Sequence, residues 1–159
     1  MSLKSNGRFL SLNVSGLREN VKRKAMFMYC RNKNPHCILL QETHSTISDE
    51  KCWSNQWGDQ ITYSHGTAKS AVVATLLNNF PGKIFHTKHD SDGHWSLSVL
   101  HIEDSLIILG NIYGYCNISK NKELLTIIEV NIEQPKQRFP TKYVLLGGDW
   151  NLVMEITMY

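Results

Sequence analysis

The stretch Tyr143-Val144-Leu145-Leu146-Gly147-Gly148-Asp149-Trp150-Asn151 decides how the rest of the chain is read. An apolar run of this length without alternation predicts a β-strand covered on both faces, as in an α/β sandwich. Gly147 and Gly148 remove side chains where the chain leaves the sheet, so other groups can approach the backbone closely. Asp149 and Asn151 lie two positions apart, which puts them on one side if the extended conformation persists. A carboxylate, which only accepts, beside an amide, which donates and accepts, can orient a water or a phosphate oxygen. The bland alternative is a polar turn after a core strand.

Two further stretches repeat the pattern of a strand with chemistry at its tip. Arg8 to Val14 carries Phe9, Leu10, Leu12 and Val14, presents Asn13 near its end and breaks at Ser15-Gly16. Cys37-Ile38-Leu39-Leu40 is a continuous apolar run that delivers Gln41-Glu42-Thr43-His44. Between them Val21, Ala25, Met28 and Tyr29 fall at helical spacing, opposite Lys22, Arg23 and Lys24. That predicts an amphipathic helix capped by Asn20 and ended by Asn34-Pro35. Its basic run reads as a solvated face rather than a nucleic-acid contact.

Ser48 to Trp57 predicts a short helix with Ser48 as cap and Asp49 and Glu50 in the first turn, where the macrodipole favours them. Strands follow at Ile61 to Ser64, Ala71 to Leu77, Lys83 to Lys88, His94 to His101 and Ser105 to Tyr113, broken by turns such as Pro81-Gly82 and Asp92-Gly93. Such a series implies antiparallel neighbours in a mixed sheet. Leu124, Leu125, Ile128 and Ile132 then form a helical stripe that Pro135 closes.

The chain has 159 residues, enough for one domain with a real core. Hydrophobic residues at 42% and charged residues at 19% are globular values, not those of a disordered chain. A formal net charge of +3 permits a polyanionic partner without requiring one. Cys30, Cys37, Cys52 and Cys116 form no CxxC pair and no zinc-like spacing, so free thiols in a reducing compartment are expected. The apolar runs are too short to span a bilayer, and residues 1 to 10 lack the apolar core of a signal peptide. The expected chain is intracellular, in the nucleus rather than the cytoplasm, and without a membrane partner.

Asn13, Glu42, Asp149 and Asn151 thus all lie at or just beyond the C-terminal ends of predicted strands, where open α/β sheets place their sites. Asn13 and Glu42 offer hard oxygen ligands suited to Mg²⁺, which takes one or two carboxylates and keeps several waters. No histidine or cysteine cluster favours zinc instead. With Asp149 and Asn151 positioning water, the implied chemistry is hydrolysis of a phosphodiester or a phosphomonoester. Tyr113, closing its strand, either reaches a phosphate or packs as a rim aromatic. Leu145 to Asp149 also resembles the second motif of a P-loop NTPase, but the Gly-x-x-x-x-Gly-Lys-Ser/Thr partner occurs nowhere in the chain.

Ser11-Leu-Asn13-Val-Ser-Gly16-Leu, Ile38-Leu-Leu-Gln41-Glu42-Thr43-His44, Asn111-Ile-Tyr113-Gly114-Tyr115 and Leu146-Gly-Gly-Asp149-Trp-Asn151 resemble, in order and spacing, motifs of the endonuclease/exonuclease/phosphatase superfamily. The likeness runs from about Phe9 to Met154 and points to the apurinic-like endonuclease domain of LINE-1-type retrotransposons, related to exodeoxyribonuclease III. It implies a DNase I-like fold, a four-layer α/β sandwich of mixed sheets flanked by helices. It also implies that Glu42 and Asn13 bind Mg²⁺, or alternatively Mn²⁺, and that Tyr113 contacts the phosphate. Asp149 and Asn151 would orient the nucleophile, with DNA as substrate. Asn117 is expected at the substrate, and Thr43 and His44 are expected to support Glu42.

The sequence departs from the family at Cys116, where an asparagine is common and Asn117 follows, and at Val72, in place of a glycine. It also ends in Glu155-Ile-Thr-Met-Tyr159, without the family's Asp-His element. Residues 1–159 are therefore expected to hold the N-terminal part of a single domain, with the second sheet largely lacking, the first sheet's apolar face exposed and activity impaired. Two other functions compete: an inert retroelement remnant that binds DNA and metal weakly, and a superfamily phosphatase acting on a substrate other than DNA.

Overall fold

Strands β1 (Phe9–Asn13) and β2 (Cys37–Gln41) run in parallel, and helix α1 (Asn20–Lys33) makes the crossover that a parallel pair requires. The computed structural model describes residues 7–66, 72–102 and 104–152. After β2 come a 3₁₀ turn (Ile47–Asp49), helix α2 (Glu50–Trp57) and strands β3 (Ile61–Ser64) and β4 (Val73–Leu77). Then follow β5 (Lys83–His89), β6 (Trp95–Ile102), β7 (Ser105–Tyr113), helix α3 (Ile118–Arg138) and β8 (Tyr143–Asp149). One four-stranded sheet has the order β1-β2-β4-β3 and the other the order β5-β6-β7-β8. Each is mixed: β1 with β2 and β7 with β8 are parallel, and the remaining pairs are antiparallel.

The alternation of side chains along each strand builds the layers. Cys37, Leu39 and Leu77 of the first sheet pack on Leu100 and Leu109 of the second. Ile38, Leu40, Ala74 and Leu76 point the other way, onto Phe27, Cys30, Trp53 and Trp57 of α1 and α2. Leu97, Val99, Ile108 and Ile112 meet Leu124, Ile128 and Ile132 of α3. Helices, sheet, sheet and helix therefore stack as four layers. The second sheet, expected to be largely lacking, is present as four strands and covers the apolar inner face of the first.

Several local expectations are corrected. Among the described residues strand β8 is not covered on both faces; it ends the order β5-β6-β7-β8, and Tyr143, Val144 and Leu145 are exposed. The cap of α1 is Glu19, not Asn20: its carboxylate accepts from the Val21 and Lys22 amides at 2.8 and 2.6 Å. The stripe Val21, Ala25, Met28 and Tyr29 faces solvent, and Arg23, Phe27 and Cys30 are buried instead. Arg23 explains the rotation. Its guanidinium donates to the Leu17 and Arg18 carbonyls, Asn20 Oδ1 and Gln56 Oε1, and lies 5.2 Å from the Trp53 ring centre. A cation satisfied in this way can be buried, which residue type alone does not reveal.

Thr46, not Ser48, starts the second helical segment, its amide donating to Asp49 Oδ2 at 2.9 Å. Pro135 does not close α3, which runs on to Arg138 and finishes where the Phe139 amide donates to the Pro135 carbonyl. A proline removes only its own donor, and here one turn remains beyond it. Leu125 is exposed, while Asn121 and Pro135 join the buried face. Ala71 and the stretch Glu155 to Tyr159 lie outside the described residues.

Candidate active site

The parallel pairings bring the C-terminal ends of β1, β2, β7 and β8 to one end of the sandwich. Asn13 and Gln41 are register partners in one sheet, as are Tyr113 and Asp149 in the other. The chain turns sharply there. Ser15, Glu42, His44 and Asn151 adopt φ of 45°, 54°, 56° and 47°, a left-handed conformation that non-glycine residues seldom take. Such strain persists only where surrounding bonds fix it, and it gathers at functional sites. The bonds here are the Val14, Gly16 and Leu17 amides, which donate to the Gln41, Glu42 and Thr43 carbonyls.

Asn13 Nδ2 donates to Glu42 Oε1 at 3.0 Å and to Asp149 Oδ2 at 2.8 Å. One amide thus bridges carboxylates carried by different sheets. Asn13 Oδ1 accepts from the Ser15 amide at 3.0 Å, which fixes the carboxamide plane. The Tyr113 hydroxyl donates to the same Glu42 Oε1. Burial above all, then the bond to Glu42, pushes the Tyr113 hydroxyl up to about 12, against a smaller opposing effect of Asn151. At neutral pH it is therefore a proton donor.

Asn151 does not extend the strand, which ends at Asp149. It turns back, so that its amide donates to Asp149 Oδ1 at 3.1 Å and its Nδ2 to the Gly114 carbonyl at 2.8 Å. The Gly114 amide in turn donates to the Asp149 carbonyl at 2.7 Å. Asp149 and Asn151 thus share the site by a turn and not by strand alternation.

Asn13, Glu42, Tyr113, Asp149 and Asn151 are brought together. Asn117 caps α3, with Oδ1 accepting from the Lys120 amide at 2.9 Å. Thr43 is buried, and its hydroxyl pairs with Ser45 Oγ at 3.2 Å behind Glu42. His44 is exposed and lies against Gly16, where a Cβ would come within 3.0 Å of its Nδ1.

Other polar residues near the site carried no assigned role in the sequence reading. Gln41 Nε2 donates to Asn111 Oδ1 at 2.8 Å, and Asn111 Nδ2 donates to the Leu40 and Ala74 carbonyls, tying the sheets together behind Glu42 and Tyr113. Asn121, buried on α3, accepts from the Tyr115 amide at 2.7 Å and donates to the Tyr115 and Trp150 carbonyls. The signal for Asn121 was its place three residues before Leu124 on the stripe, a polar residue at a core position.

Among the described residues no group of three or more histidine, cysteine or acidic side chains is arranged to hold a metal. The donor set nonetheless fits a hard cation. Two carboxylates converge on one positively polarised amide, and Glu42 Oε2 has no hydrogen-bond partner among the described residues.

No family model matches the chain. Among curated proteins it is 25% identical over 95 residues to the Xenopus laevis transposon TX1 uncharacterized 149 kDa protein, covering 52% of this chain and 7% of that protein. The Xenopus laevis APE2 catalytic domain superimposes with a TM-score of 0.68 at 17% identity, over 91% of this chain and 58% of that one. Truncated Caenorhabditis elegans TDP2 gives 0.65 at 18% identity, over 91% and 62%. The endonuclease domain of TRAS1, a telomere-specific non-LTR retrotransposon, gives 0.63 at 14% identity, over 92% and 61%. The chain accordingly has the DNase I-like fold that these structures share and spans roughly three fifths of their length. No helix of the described residues is long and apolar enough to cross a membrane.

Proposed function

We propose that the chain is a divalent-metal-dependent phosphodiester hydrolase of DNA, of the retrotransposon or apurinic endonuclease type, acting in the nucleus. The observation that carries this is the convergence of Glu42, Asp149 and Tyr113 on one another through Asn13, at the strand ends of a fold shared with a retrotransposon endonuclease domain. Glu42 is the residue that would hold Mg²⁺, or Mn²⁺ in its place, through Oε2; Asn13, the expected second ligand, faces Glu42 with Nδ2 and gives Oδ1 to the Ser15 amide. When bound, the ion supplies Lewis-acid polarisation of a phosphoryl oxygen.

The chain's own residues account for the remaining work. Tyr113, protonated at neutral pH, donates to a phosphate oxygen as readily as to Glu42. Asp149, locked by Asn13 and the Asn151 amide, accepts a hydrogen bond from an attacking water and orients it. Asn151 holds the Gly114 corner and so the spacing between Tyr113 and Asp149.

A second reading is kept for one reason. Asn117, expected at the substrate, is committed to the α3 cap, which fits an inert site that binds DNA and metal only weakly. The test is nicking of supercoiled plasmid by this chain in Mg²⁺, beside Glu42→Gln. The proposal expects nicks ending in 3′-hydroxyl groups, which the variant makes far more slowly. Salt-sensitive DNA binding without nicking supports the inert reading, and hydrolysis of a phosphomonoester alone supports a superfamily phosphatase.

A further inference from the structure

We propose that His94 is a positioning residue, fixing Tyr113 in the orientation in which its hydroxyl meets Glu42; the inference rests on the hydrolytic reading of that tyrosine. His94 belongs to none of the motifs by which the sequence resembles the superfamily. It enters the site from the β5–β6 turn, where its main chain and its ring are both held. Its main-chain amide donates to Asp90 Oδ1 at 2.9 Å, the same oxygen that accepts from Ser64 Oγ at 3.1 Å. Its carbonyl accepts from the Tyr113 amide at 2.7 Å. Its ring stacks on Tyr115 with centres 3.8 Å apart and planes inclined by 27°, and on Tyr113 at 5.8 Å and 23°.

The decisive contact is His94 Nδ1, which lies 2.6 Å from the Tyr113 carbonyl oxygen. A carbonyl only accepts, so Nδ1 carries the proton and the tautomer is fixed. His94 is 7% exposed, so water does not replace this donor freely. On the far side of the corner there is no slack. A Cβ on Gly114 would sit 2.1 Å from the Trp150 carbonyl oxygen and 3.1 Å from Asn121 Oδ1. The Tyr113-Gly114-Tyr115 corner is therefore clamped between Trp150 with Asn121 on one side and His94 on the other. The Tyr113 peptide orientation sets where its phenol reaches, and small misplacements at a reacting centre cost large factors in rate.

The test separates the donor from the ring. His94→Asn keeps an N–H near the position of Nδ1 and loses the ring; His94→Phe keeps a ring and loses the donor, with His94→Leu as a second donor-free variant should the first not fold. Two quantities are read: kcat and KM for plasmid nicking, and the ¹³Cζ resonance of Tyr113, assigned with Tyr113→Phe, which reports the phenol–Glu42 bond without turnover. The expected result is that loss of the donor displaces the resonance and lowers kcat about tenfold at unchanged KM, with both restored in His94→Asn. An unmoved resonance in the donor-free variants, or His94→Asn failing as badly as they do, overturns the proposal. If the wild-type chain makes no nicks, the hydrolytic reading fails while the resonance still decides whether His94 positions Tyr113.

Discussion

Substituting alanine at each of the adjacent glycines Gly147 and Gly148 separates two kinds of constraint in one strand. A Cβ on Gly147 would meet only Leu39 Cδ1, at 2.7 Å, the far end of a flexible side chain. Leu39 can change rotamer, so Gly147→Ala should cost about 1 kcal/mol, the low end of overpacking. A Cβ on Gly148 would lie 1.9 Å from the Ile112 carbonyl oxygen and 2.7 Å from its carbon, and Gly148 has φ of +148°. Ile112 is its register partner in β7, so relief requires parting the parallel pair one residue before Tyr113 or moving Asp149. Backbone strain of about 1–3 kcal/mol and a main-chain displacement of about 1–3 kcal/mol together give about 2–6 kcal/mol. Against a total of about 5–15 kcal/mol for a domain, that is a large share. Urea unfolding followed by tryptophan fluorescence measures both variants. With a slope of about 2 kcal/mol/M the midpoint should fall by about 0.5 M for Gly147→Ala and about 2 M for Gly148→Ala. Equal midpoints would refute the assignment of the constraint to the Ile112 backbone.

Three other outcomes follow from the packing and the shifted groups. Asn111→Leu removes one of three acceptors from the Gln41 amide, which keeps Ser11 Oγ and the Leu39 carbonyl, and should cost about 1–3 kcal/mol in urea unfolding, with part recovered when Gln41 is also made leucine. Of the six tyrosines, Tyr63 and Tyr113 should ionise near 12 in an absorbance titration, Tyr63 mainly because of burial. Because their folded-state values are raised, the stability they contribute is complete below pH 10 and is lost as pH rises toward about 12. Burial pushes the Cys30 and Cys37 thiols up to about 11 and about 12, while Cys52 and Cys116 are exposed. Ellman's reagent should therefore modify Cys52 and Cys116 in the native chain and all of the thiols only after denaturation.

Strand runs and their polar tips were legible because period and composition act locally. The Ser105 and Ile61 strands begin and end where turn residues predict, and Asn13, Glu42, Tyr113 and Asp149 do meet. What was not legible depends on tertiary partners. Arg23 reads as surface charge until Leu17, Asn20, Gln56 and Trp53 are seen around it. The apolar Tyr143 run reads as buried because hydropathy does not report whether another strand lies alongside. Asn117 reads as a substrate contact from its neighbourhood in sequence, but a helix begins immediately after it and claims its side chain as a cap. His94 gave no signal at all, because its contact is with the backbone of Tyr113 and not with a side chain that a motif could display.

The central claim is that Glu42 and Tyr113 work as one unit at a hydrolytic site, and a double-mutant cycle on Mg²⁺-dependent plasmid nicking tests it most directly. Removing the Tyr113 hydroxyl, a donor to a charged acceptor, should lower the nicking rate about ten- to a hundredfold, and Glu42→Gln should lower it further. The Glu42→Gln, Tyr113→Phe double variant should then be no slower than Glu42→Gln alone. Losses that multiply, or a nicking rate that neither substitution changes, would contradict the shared site.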